Sequence, residues 1–139
     1  MTEPFRDAFR APADLDAIGR VHDVFENLAE QRRDLPEDLR SGFELAVVEV
    51  VTNVVRHSDD ERPVNVELLI RTTQEGLEAV VTDDAPPVAL DLGGASMPDP
   101  DDLGESGRGL ALVTLLVERF EHEPLASGNR WTLAVGAAG

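Results

Sequence analysis

The chain of 139 residues has no cysteine and no lysine: all 12 of its basic residues are arginine. The first absence excludes disulfides, thiolate metal sites and cysteine nucleophiles, and is compatible with a reducing compartment. The second excludes the phosphate-binding lysine of P-loop enzymes, the strand lysine of common protein kinases and every Schiff-base mechanism. A nucleotide handled by this chain is handled by another route. Positive charge is scarce altogether: 28 acidic residues leave a formal net charge of -16, which opposes association with nucleic-acid phosphates or anionic lipid. No apolar run approaches the roughly 18 residues of a membrane span, and "MTEPFRDAFR" lacks the positive start and apolar middle of a signal peptide. A cytoplasmic, soluble chain forming one domain over 1–139 is the expectation, and 42% hydrophobic content suffices for its core.

What is present divides into short periodic segments. "FRDAFRAP" suits an edge strand. In "ADLDAIGRVHDVFENLAEQR", Leu15, Ile18, Val21, Val24, Phe25 and Leu28 recur at helical spacing behind Asp14, a natural N-cap. A second helix starts near Pro36 and ends near Ser58. "RPVNVELLIRTT" and "LEAVVTD" read as a hairpin with its turn chemistry at Gly76. Asp84–Gly107, rich in proline, glycine and acid, is too long for an ordinary connection. "GRGLALVTLLVERFEHE" then reads as a third helix and "GNRWTLAVG" as a last strand, with Trp131 expected in the core. Hairpin links and few helices predict an α+β fold, a two-layer sandwich with helices on one face of a largely antiparallel sheet, and not a doubly wound parallel sheet.

The most informative stretch is "ELAVVEVVTNVVRHS", residues 44–58. Strand alternation would send neighbouring valines to opposite faces with no consistent polar side. At 100° per residue the valines instead cover a broad arc, and Glu49, Thr52, Asn53, Arg56 and His57 share the remaining sector. Glu49 and Asn53 lie one turn apart. Together they offer a carboxylate to accept a hydroxyl proton and an amide oxygen to complete a mostly hydrated Mg²⁺ shell. The plainer alternative is a solvated face of an amphipathic helix; His57, in a last turn, also suits the helix dipole. Two glycines, Gly107 and Gly109, precede the third helix, where unpaired N–H groups aided by Arg108 can cradle phosphate. The acidic runs "SDDER" and "PDPDDLGE" match no EF-hand spacing and read as solvated loops.

Taken together, the Glu49/Asn53/His57 box, Asp83 at a strand end and "SGRGLALV" resemble the GHKL ATPase superfamily, with its Bergerat-type sandwich. Within it they resemble the small anti-sigma-factor serine/threonine kinases of bacteria, from "FRAPADLDAI" to "GNRWTL". The resemblance implies Glu49 as catalytic base, Asn53 as Mg²⁺ ligand, and ATP bound by Asn53, His57, Asp83, Ala85, Gly107, Arg108, Gly109, Leu110 and Thr132. Asp83 falls at the adenine-contacting aspartate and Thr132 at a last-strand threonine. The family's two glycines after the aspartate are here Ala85 and Pro87. The implied partner is an anti-anti-sigma STAS-domain protein, with a sigma factor and a homodimer also compatible. The residues leave two other classes open: a nucleotide-gated binding module without catalysis, and an interaction domain that binds no nucleotide.

Overall fold

The computed structural model of the chain describes residues 4–87 and 109–136. Strand β1 (Arg6–Pro12) leads into helices α1 (Leu15–Gln31) and α2 (Glu37–Arg56), then the hairpin of β2 (Asn65–Thr72) and β3 (Gly76–Asp83). Helix α3 covers 109–116, and a second hairpin follows, β4 (Arg119–Leu125) and β5 (Gly128–Gly136). Every pairing is antiparallel, in the order β1-β2-β3-β5-β4. This is the α+β sandwich expected, with α1 packed on β1 and β2, and α2 on β3 and β5.

Local chemistry explains the elements. Asp14 caps α1, its Oδ1 accepting the Ala17 N–H at 3.2 Å. Leu15, expected in the core, is 78% exposed. At 100° per residue it falls roughly 140° from the centre of the face made by Ala17, Val21, Val24 and Leu28. In α2, Val47, Val50, Val51 and Val54 are buried against the sheet, each worth on the order of 2 kcal/mol of apolar burial. That burial holds a helix whose β-branched content disfavours it. Phe25 and Phe43 join the two helices, ring centroids 6.1 Å apart. The β2–β3 turn is closed by a residue the sequence did not single out: Thr73 Oγ1 accepts the Gly76 N–H at 2.9 Å and the Glu75 N–H at 3.2 Å.

One element differs from expectation. "ERFEHE" is not the end of the third helix: α3 stops at 116, and the Glu118 N–H already donates to Ala134 O of β5 at 3.0 Å. The segment continues as edge strand β4, with Phe120 turned inward to stack on Trp131 at 6.1 Å and Arg119 paired outward with Glu121 at 2.7 Å. Two-residue alternation of this kind cannot be satisfied on a helix.

Candidate functional site

Glu49 and Asn53 sit on the flank of the buried face of α2. Asn53 is only 6% exposed, and its Oδ1 has no hydrogen-bond partner among the described residues. A buried acceptor left unpaired destabilises a fold by about 1–3 kcal/mol, so a ligand that fills it is the economical explanation. An uncharged amide oxygen with an open position fits Mg²⁺. No group of three or more acidic or histidine side chains is placed to hold a metal among the described residues, so phosphate and water would supply the rest of such a shell. One turn earlier, half-buried Glu49 meets α3 at Gly109: a β-carbon there would lie 2.6 Å from its Oε2. The motifs around 49 and 109, sixty residues apart in sequence, therefore face each other.

Asp83 ends β3 on the helix-facing side and is 5% exposed. Its Oδ1 accepts the Ala85 N–H and one Asn129 Nδ2–H, both at 3.0 Å, and its Oδ2 accepts the Trp131 indole N–H at 3.0 Å. These donors fix the plane of the carboxylate. Asn129 is also tied to His122, its Oδ1 lying 2.9 Å from Nε2. Gly128 makes this approach of strands feasible: its φ is +151°, and a β-carbon there would stand 2.0 Å from the Asp83 carbonyl oxygen. Ala85, standing where the family has glycine, buries its methyl in the core while its N–H holds Asp83.

Other expected site residues are placed differently. Thr132 pairs with Val80, whereas Asp83 pairs with Asn129. Since strand side chains alternate, Thr132 lies on the open face of the sheet, opposite Asp83. Its place beside the carboxylate is taken by Asn129 and Trp131. The inward position of Trp131 agrees with a core role, to which the hydrogen bond adds a second. Leu110 is buried in the apolar core. His57 is exposed and C-caps α2, its backbone N–H closing on Val54 and Val55 carbonyls. Gly107, Arg108 and most of the Asp84–Gly107 connection lie outside the described residues. Asn129 and His122 were missed because their role depends on β3–β5 and β4–β5 register. A cleft of about 880 Å³ opens at the other end of β3, around Thr72–Glu75 and Gly136. Its arginines Arg32, Arg71 and Arg119 are paired with Asp34, Glu78 and Glu121, and none of the residues discussed above for nucleotide chemistry lines it.

The profile of the histidine kinase-like ATPase domain family matches residues 11–134 of the chain. The fold is similar to a histidine kinase domain from the Erythrobacter litoralis EL346 blue-light activated histidine kinase (TM-score 0.58, 16% identity), covering 91% of this chain and 62% of that one. It is also similar to the structure of the RsbU and RsbW domains of Rv1364c from Mycobacterium tuberculosis (TM-score 0.57, 18% identity), covering 97% of this chain and 32% of that one. The chain thus spans less than two thirds of either matched structure. A comparison with curated proteins returns no match.

Proposed function

This chain belongs to the family of histidine kinase-like ATPase domains, and from that premise we propose that it is an ATP-dependent serine/threonine kinase. Its protein substrate is an anti-anti-sigma STAS-domain partner, and through that partner and a sigma factor it regulates transcription in the cytoplasm. No helix among the described residues is long and apolar enough to cross a membrane. One observation carries the reading: the Glu49 carboxylate stands against Gly109 of α3, and one turn away on the same helix Asn53 Oδ1 is buried without a hydrogen-bond partner among the described residues. This proximity supports a reading in which Glu49 acts as base beside a hard-metal ligand at Asn53.

In this reading Glu49 accepts the proton of the partner's serine or threonine hydroxyl as its oxygen attacks the γ-phosphorus, while the bond from that phosphorus to the β,γ-bridging oxygen breaks and ADP leaves. Asn53 Oδ1 would hold Mg²⁺, which when bound would neutralise charge on the phosphates. Gly109 lets backbone approach the site, and Asp83 receives the base. With no lysine in the chain, the remaining phosphate charge is met by backbone N–H groups and arginine. The test is incubation with γ-labelled ATP, Mg²⁺ and purified STAS-domain proteins. Label on a STAS serine or threonine is expected, and binding of ATP without transfer to any of them would reject the kinase assignment in favour of a gated binder.

A further inference from the structure

An ionised carboxylate has about four acceptor positions, two on each oxygen. At Asp83 three are filled from within the protein. Oδ1 is full, holding the Ala85 N–H and Asn129 Nδ2, and Oδ2 holds the Trp131 indole N–H. Among the described residues no further donor reaches the carboxylate, which leaves one acceptor position, on Oδ2. The Asn129 amide cannot turn to release Oδ1. Its Nδ2 also donates to the Pro86 carbonyl at 3.3 Å, and its Oδ1 accepts from His122 Nε2 at 2.9 Å. Reversal would set the amide oxygen against the carboxylate and an N–H₂ against the imidazole N–H. The same chain of bonds puts the His122 proton on Nε2 and leaves Nδ1 buried with no partner among the described residues.

We propose that Asn129, held by His122, is the specificity-determining residue of the base site, limiting the ligand to a base edge that presents one N–H donor to Asp83. The inference rests on the reading of Asp83 as the base-binding carboxylate and adds which bases it accepts. An adenine amine needs one acceptor and finds it on Oδ2. Guanine presents N1–H and its 2-amino group side by side, and so needs one acceptor on each oxygen. Its second donor meets the filled Oδ1 and is buried without a partner, a loss of about ten- to a hundredfold in affinity. Hypoxanthine, with N1–H and no 2-amino group, needs a single acceptor and avoids that loss.

Calorimetric titration of the wild-type chain with the Mg²⁺ salts of ATP, GTP and ITP, and of Asn129→Leu with ATP and GTP, tests this. Wild type is expected to prefer ATP to GTP by about tenfold or more, with ITP tighter than GTP. Asn129→Leu keeps the side-chain size but vacates one position on Oδ1, so the ATP/GTP ratio should fall about tenfold, mainly by a gain for GTP. Loss of both nucleotides in equal proportion in a folded variant would reduce Asn129 to a structural role and overturn the proposal. Should the variant not fold, the wild-type series decides alone: ITP no tighter than GTP overturns it. Failure of the underlying reading looks different, as Asp83→Asn would then bind ATP as wild type does, or folded wild type would bind no nucleotide.

Discussion

Glu49 Oε2 stands 2.6 Å from the point that a β-carbon on Gly109 would occupy, so the carboxylate keeps this position against α3 only while position 109 has no side chain. A methyl group there meets the end of a flexible side chain and not backbone. Gly109→Ala is therefore expected to fold with an unchanged or slightly raised melting temperature, because alanine favours the helix. The displaced carboxylate should lower phosphoryl transfer on the order of 10²-fold, the usual effect of misplacing a reacting group by about 1 Å. Thermal unfolding and a single-turnover assay on the same preparation check both halves; wild-type transfer in the variant would separate Gly109 from the site.

Asn53 makes a second prediction in which stability and function move in opposite directions. Its Oδ1 is buried and has no partner among the described residues, so Asn53→Leu removes that acceptor and should stabilise the free protein by about 1 kcal/mol. Magnesium-dependent ATP binding should disappear in the same variant. Urea unfolding and calorimetry read the two effects, and a destabilised variant that still binds Mg²⁺·ATP would mean that Asn53 is an ordinary packing residue.

Gly128 behaves unlike Gly109. A β-carbon there would lie 2.0 Å from the Asp83 backbone oxygen, and its φ of +151° is one that other residues rarely adopt. Gly128→Ala should destabilise the chain by about 1–3 kcal/mol from backbone conformation alone, with steric displacement of β3 in addition. The sole tryptophan hydrogen-bonds to Asp83, so its fluorescence should change with the mutation even at temperatures where the protein stays folded. An unchanged melting temperature and emission spectrum would show that the strands can separate there freely.

Much of this arrangement was legible in the linear sequence because it is local. The helix of Glu49 and Asn53 declares itself through a 100° periodicity that no strand satisfies, and the cap at Asp14 and the strand ending at Asp83 are read from neighbouring residues. What was not legible is non-local. Strand β4 continues without glycine or proline from an apolar helical run, and its alternation becomes decisive only when Phe120 meets Trp131 across the hairpin. Thr132 was placed beside the base by its position in a motif, yet the β3–β5 register turns it to the open face and brings Asn129 to Asp83. A one-residue difference of register exchanges the two faces of a strand, and nothing within "GNRWTL" fixes which face Thr132 takes.

The central claim is that Glu49 is the base of a phosphoryl-transfer site, and one comparison tests it most directly: single-turnover transfer from ATP to a STAS-domain partner by wild type and by Glu49→Gln, with ATP affinity measured in parallel. Glutamine keeps the size and the contact with Gly109 but cannot take the hydroxyl proton. The account predicts nearly unchanged ATP binding with transfer lowered by roughly 10²–10⁴-fold, whereas transfer by Glu49→Gln at the wild-type rate would contradict it.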